Sequence, residues 1–308
     1  MRYVMRSTRE KADMSIPNPT RETTPLLRVR NLSVRFGQCS DATRALRNVS
    51  FDLSQEKLGI VGESGSGKST LGRAILKLLP SVADVSADEM RFETTDLGRA
   101  SEKQMLAIRG SRISMIMQDP KYALDPTMRI GDQIGEAVAL HLKLGGRGRR
   151  NKVLELLEAV EIRGPERVYD LYPHQVSGGM GQRIMIAATL AANPRIIIAD
   201  EPTSALDVTV RRKLLELLDR LVTMQQIGLI FITHDLNLAQ DFCDRLLIMY
   251  AGQVVESLPA TALRQARHPY TQGLLASLPR LDLELRRLPV MARDASWAKD
   301  IIVEHSIL

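Results

Sequence analysis

The run Gly62-Glu63-Ser64-Gly65-Ser66-Gly67-Lys68-Ser69-Thr70 lies between an apolar stretch, Lys57-Leu58-Gly59-Ile60-Val61, and a segment with apolar residues at Leu71, Ile75, Leu78 and Leu79. That arrangement demands a buried strand on one side, an amphipathic helix on the other, and a tight glycine turn between them. Backbone N–H groups in such a turn converge on one spot and cradle a phosphate, while the Lys68 ammonium and the Ser69 hydroxyl are placed to serve terminal phosphates and a magnesium ion. At average glycine usage near 7%, chance produces the pattern in roughly one chain in a hundred of this length.

Strands and helices alternate over most of the 308 residues. Residues 26–36 and 45–53 read as two strands of an opening sheet, 89–96 as a short strand and turn, 101–109 as a polar helix, and 113–117 as the next buried strand. From Ile130 to Ala159 the apolar residues Ile134, Val138, Leu140, Val153, Leu156 and Leu157 recur at helical spacing, broken by an expected loop over 145–150. A helix over 180–192, a strand over 196–199, a helix over 208–224 and strands over 229–233 and 246–250 follow. This order predicts an α/β fold with a mainly parallel sheet covered on both faces, and a helical insertion. With 44% hydrophobic but only 4% aromatic residues, the core must be largely aliphatic, which suits buried parallel strands.

The chemistry-bearing residues fall at strand ends, where ligands gather in such folds. Asp200 ends the apolar strand Ile196-Ile197-Ile198-Ala199 and is placed to hold magnesium through its water shell; Glu201 beside it can accept a proton from an attacking water. Gln118, after 113–117, offers an amide to metal and water, although alone it reads as a turn residue before Asp119-Pro120. His234, after 229–233, would reach a γ-phosphate from the end of its own strand. Ser177 reads as a helix N-cap, yet Gly178 and Gly179 behind it leave that helix start approachable to an anion. Together these features indicate ATP hydrolysis. One complete cradle plus a second anion-binding turn suggests ATP gripped from two sides, hence by two subunits.

The formal net charge is +6, with positive residues spread along the chain. The tight cluster Arg147, Arg149, Arg150 and Lys152 falls in the Gly-rich loop without interleaved aromatics, so a solvated loop is the plainer reading and phospholipid head groups or a protein partner the other. Cys39 and Cys243 lie far apart and lack metal-ligand spacing, which argues against a disulfide framework or a zinc site. No apolar run reaches about 18 residues, and the N-terminus has charges but no apolar core like that of a secretory signal. Residues 1–24 read as a disordered tail, with Met14 an alternative start.

With these motifs in order, the chain resembles the ATP-binding subunits of ABC transporters over about residues 26–279. The resemblance identifies Gly62 to Thr70 as the Walker A loop, Gln118 as the Q-loop glutamine, Ser177 to Gln182 as the signature, Ile196 to Glu201 as the Walker B strand, Ser204 to Asp207 as the D-loop, and His234 as the switch histidine. It implies an ABC-type P-loop ATPase with an N-terminal antiparallel β subdomain and a helical subdomain. ATP would be bound by Gly62, Ser64, Gly65, Ser66, Gly67, Lys68, Ser69 and Thr70, with Ser177, Gly178, Gly179 and Asp207 serving across a dimer. Magnesium would be served by Ser69, Gln118 and Asp200, and Phe36 would stand where an aromatic stacks on adenine, or be a plain strand residue.

Finer features, above all His268-Pro269-Tyr270-Thr271-Gln272-Gly273-Leu274-Leu275, resemble the ATPases of bacterial oligopeptide, dipeptide and nickel importers. Three domains are then expected: the tail over 1–24, the ATPase over 25–255 with a helical subdomain about 119–180, and a C-terminal extension over 256–308. The resemblance implies a second ATPase chain, identical or homologous, two transmembrane permeases and an extracytoplasmic solute-binding protein, with this subunit peripheral on the cytoplasmic face of the inner membrane. No nucleic acid is implied. Some relatives carry a cysteine cluster for an iron–sulfur centre, but no cysteine follows Cys243 and none is expected here. Gly181 departs from the larger residue usual in relatives and should weaken its helix by about 1 kcal/mol. The rival reading is an ATPase of a soluble complex of the carbon–phosphorus lyase type.

Overall fold

The structure, a computed structural model, describes residues 24–37, 43–204, 206–278 and 297, with the backbone of 302 and 303. Nearly all of the expected N-terminal tail, and Cys39, lie outside these residues. The chain opens with antiparallel strands β1 (Leu27–Phe36) and β2 (Thr43–Leu53). A register shift in β1, where Asn31 takes a φ of 53°, moves the buried set from Leu27 and Val29 to Leu32 and Val34, so one face stays apolar despite the change of phase.

Strand β3 (Lys57–Val61) then enters a second sheet, the glycine turn follows, and α1 (Lys68–Ile75) leaves it. Three short strands, β4 (Ala83–Ser86), β5 (Glu89–Phe92) and β6 (Thr95–Asp96), complete the five-stranded antiparallel sheet around β1. Ser101 caps α2 (Glu102–Leu106) through a reciprocal box with Gln104, after which β7 (Ile113–Ile116) returns to the second sheet. The helical layer comprises α3 (Pro120–Ala123), α4 (Ile130–Leu142), α5 (Gly146–Ala159), α6 (Pro165–Tyr169) and α7 (Gly178–Leu190). The chain continues through β8 (Ile196–Asp200), α8 (Val208–Gln225), β9 (Gly228–Thr233), α9 (Leu236–Phe242), β10 (Arg245–Tyr250), β11 (Gln253–Pro259), α10 (Pro269–Ala276) and β12 (Ile302–Val303).

The second sheet runs β12-β11-β10-β3-β9-β8-β7, with every pair parallel except β10–β11. Both faces are covered, so β8 and β9 are buried at every position and read as unbroken apolar runs. Successive residues alternate faces: Ile197, Ala199, Leu229 and Phe231 join the core beneath the helical layer, whereas Ile196, Ile198, Ile230 and Ile232 join the core shared with α1 and the opening sheet. Each of these leucine, isoleucine and phenylalanine side chains contributes about 1.5–3 kcal/mol relative to exposure.

Several local expectations are corrected. Residues 146–150 are not loop but the first turns of α5, and the break between α4 and α5 is confined to Lys143, Leu144 and Gly145. The basic cluster is therefore helical; Arg150 lies over the Tyr169 ring at 4.3 Å, and Lys152 pairs with Glu155 at 2.6 Å. Burial of Val153, Leu156 and Leu157 farther along α5 outweighs the poor helix propensity of its glycine-rich start. Leu140 is 73% exposed and Leu78 49% exposed, so neither belongs to an apolar stripe; α1 has already ended at Ile75. At Gly181 a Cβ would come 3.3 Å from Pro120 Cγ, so the missing side chain lets α7 and α3 approach closely. Strand β11 runs through residues 255 and 256, across the expected domain boundary, and the segment after it packs on the ATPase core: Tyr270 is fully buried. No helix among the described residues is long and apolar enough to cross a membrane.

Candidate active site

Four neighbouring strands of the second sheet, β3, β9, β8 and β7, deliver their C-terminal ends to one edge, and a cavity of about 930 Å³ opens there. The glycine turn forms its base. A Cβ at Gly62 would stand 2.2 Å from the Met249 carbonyl oxygen, so only glycine lets the turn pass β10. Gly67 holds a φ of 100° as the N-cap of α1 and leaves that helix without a side-chain cap, its N–H groups available to an anion.

Lys68 donates from Nζ to the carbonyl oxygens of Gly62 and Glu63, both at 2.8 Å. Burial pulls its ammonium below the usual lysine value, while Glu201, Asp200 and Glu63 pull the other way. Ser69 Oγ donates to Asp200 Oδ1 at 2.7 Å. Burial raises the Asp200 carboxyl above the ordinary aspartate value, and the Ser69 hydrogen bond opposes that rise.

Glu201 follows β8 in a left-handed conformation, φ 46°, held by its own N–H donating to Ile232 O at 2.9 Å. That twist turns its carboxylate toward two partners. Gln118 Nε2 donates to Glu201 Oε2 at 3.2 Å, and His234 Nδ1 lies 3.1 Å from Glu201 Oε1. Two residues expected from separate strand ends thus meet the third, Glu201.

Most of the expected phosphate-loop residues line the same cavity: Gly62, Ser64, Gly65, Gly67, Lys68, Ser69 and Thr70. Ser66 turns its hydroxyl inward, and Oγ has no hydrogen-bond partner among the described residues. Phe36 is half-buried against the opening-sheet core and does not line the cavity. Ser177, Gly178 and Gly179 do not line it either. Ser177 caps α7 by accepting from Met180 N–H at 3.4 Å, and its turn borders a separate cavity of about 230 Å³. Asp207, also outside, caps α8 by accepting from the N–H groups of Thr209 and Val210, both at 3.0 Å.

A model of the family described as ABC transporter matches residues 46–204. The chain is 46% identical over 262 residues to the oligopeptide transport ATP-binding protein OppD of Bacillus subtilis, covering 84% of this chain and 73% of that one. The chain belongs to the ABC transporter family. Another relative is the dipeptide transport ATP-binding protein DppD of Escherichia coli, 45% identical over 265 residues, covering 85% of this ABC transporter chain and 81% of that one. Among solved structures, the dimeric ATP-binding cassette MJ0796 bound to ADP and Pi aligns with a TM-score of 0.68 at 29% identity, covering 76% of this chain and 98% of that one. The fold is that of an ABC ATPase cassette, and the ABC transporter chain is an ATP hydrolase.

Sequence reasoning missed part of the site. Arg44 and Arg47 of β2 line the cavity, as do Leu274 of α10 and Leu278 beyond it. Tyr270 accepts a hydrogen bond from the Glu63 N–H at 3.1 Å. The His268 to Leu275 run carried a signal of kinship, but nothing in its local pattern pointed to a loop two hundred residues earlier.

Proposed function

We propose that the chain is the ATP-binding and ATP-hydrolysing subunit of an importer for peptides or a related small solute such as a nickel chelate, peripheral on the cytoplasmic face of a bacterial inner membrane. Support comes from about 45% identity to named oligopeptide and dipeptide transport ATP-binding proteins over more than four-fifths of the chain. The glycine turn and the start of α1 take the phosphates of ATP, and Lys68 exchanges its two carbonyls for phosphate oxygens. Ser69 and Asp200 form a hard-oxygen pair that suits Mg2+, with Gln118 on the same cavity. The ion, when bound, supplies positive charge against the phosphate oxygens.

Glu201 takes the proton of the attacking water, and the contacts from Gln118 and His234 fix the plane of its carboxylate. Each oxygen keeps a second lone pair, so the water can bond to the carboxylate beside these partners. His234, 60% exposed on the wall of the cavity, would reach the γ-phosphate from there.

The observation that carries the assembly is separation. Ser177 and Gly178 border a cavity other than that of the phosphate loop, with Gln118 on both, and a Cβ on Gly178 would meet nothing within 4 Å. The turn is open for the nucleotide of a second ATPase chain, identical or homologous, which Asp207 would serve as well. Two permeases and an extracytoplasmic solute-binding protein complete the importer. No iron–sulfur centre is proposed, because no cysteine follows Cys243.

Affinity purification of the tagged chain from solubilised membranes tests this reading. Two multispanning proteins are expected to co-purify with ATPase activity. Co-purification with soluble metabolic enzymes instead would favour a complex of the carbon–phosphorus lyase type.

A further inference from the structure

We propose that Tyr270 is a positioning residue for the phosphate loop, and that α10 and Trp297 together form the strap that holds it in place. Tyr270 is fully buried, and its hydroxyl accepts from the Glu63 N–H at 3.1 Å across 207 positions of sequence. The carbonyl of the same Glu63 accepts from Lys68 at 2.8 Å. The second residue of the loop is therefore gripped from two sides, by a phenol outside the cradle and by the lysine within it.

Those two grips respond differently to nucleotide. A phosphate that draws Lys68 toward itself takes the ammonium from Glu63 O, while Tyr270 keeps hold of the N–H. Tyr270 thus preserves the shape of the loop mouth at the step where its internal bond is exchanged.

The strap is built to keep the phenol still. Its ring packs against Tyr250 at 4.6 Å and Trp297 at 5.9 Å, with Trp297 also 5.7 Å from Tyr250. His268, fully buried, accepts at Nδ1 from the Tyr270 N–H at 3.1 Å, which leaves the proton of the neutral ring on Nε2. That nitrogen lies 3.1 Å from Trp297 O and donates to it. Buried Glu256 of β11 accepts from the N–H groups of Arg267 and His268 at 2.7 and 3.3 Å, fixing the entry to α10. Leu274 of α10 and Leu278 just beyond it reach the cavity wall.

The proposal rests on nucleotide binding at the loop, and ATP titration of the unaltered full-length chain reads that separately. In Tyr270→Phe the ring remains and the hydrogen bond is lost, so ATP affinity should weaken and KM rise about tenfold, with kcat changed by less than about twofold. Trp297→Ala should produce a KM rise of the same kind, and the double variant should be no worse than Tyr270→Phe alone. If Tyr270→Phe fails to fold, Trp297→Ala and Trp297→Phe carry the test by themselves, with the larger KM rise expected in the alanine variant. An unchanged KM in the folded variants, or equal falls in kcat and kcat/KM, would overturn the proposal, as would full additivity of the two substitutions. Tight ATP binding by the unaltered chain alongside any of those results would sink the strap while leaving the nucleotide site intact.

Discussion

Ser69 Oγ and Asp200 Oδ1 meet at 2.7 Å, joining the first turn of α1 to the last residue of β8. The price of that junction is a carboxylate kept 4% exposed, with its protonation equilibrium pushed up by burial. A carboxyl whose folded-state value is raised stabilises the fold at low pH and loses that contribution as pH rises through the folded value. At neutral pH the ionised Asp200 therefore lowers the stability of the fold. Asp200→Asn should raise the nucleotide-free melting temperature at pH 7.5 by about 1–3 °C, a gain that disappears toward pH 3, while magnesium-dependent ATPase activity falls to background. A variant less stable than wild type at pH 7.5 would contradict this.

Glu201 holds the position of a general base, so Glu201→Gln should lower turnover by about 10²–10⁴-fold and leave ATP affinity close to wild type. Because hydrolysis would then lag behind binding, gel filtration with ATP and magnesium should show a persistent dimer. Turnover within a few-fold of wild type would remove Glu201 from that role.

Gly178→Ala separates folding from assembly. Position 178 is the first residue of α7, with open space around it in the single chain, and alanine there favours the helix by up to about 1 kcal/mol. Thermal stability should hold or rise, whereas ATPase activity should fall at least about tenfold if this turn closes on a partner's nucleotide. Full activity in the substituted protein would show that the turn stays in solvent during turnover.

Cys243 is 8% exposed beside Gly59, and burial pushes its thiol up to about 12. In a Cys39→Ser background, iodoacetamide at pH 8 should leave the native protein unlabelled and modify it fully in denaturant. Rapid native labelling would mean that the α9 end of the sheet opens readily.

Much of the ATPase core was legible before any coordinates because its strands are buried on both faces. Unbroken apolar runs at 196–199 and 229–233 mark β8 and β9, and the residues that follow each run are those that meet at the cavity. Glu201, Gln118 and His234 were readable one by one as strand-end residues, but their contacts depend on strand order and on the left-handed turn at Glu201, neither of which has a local period.

Where the reading failed, long-range packing outweighed local pattern. Glycine and arginine over 145–150 look like a loop, yet the apolar residues of α5 drive the helix back to Gly146. Leu140 and Leu78 fit helical spacing and face solvent, because spacing alone does not say where a helix stops or which arc is covered. Tyr270 was conspicuous as part of a family motif, while its partner Glu63 offered only a backbone N–H, a group every residue but proline possesses.

Lys68 is bonded to two main-chain oxygens of its own turn. Those carbonyls are fixed partners for a buried ammonium, so an anion that takes the lysine must outcompete two hydrogen bonds. The loop's grip on its own cation therefore sets a threshold that favours a multiply charged oxyanion over a weaker guest.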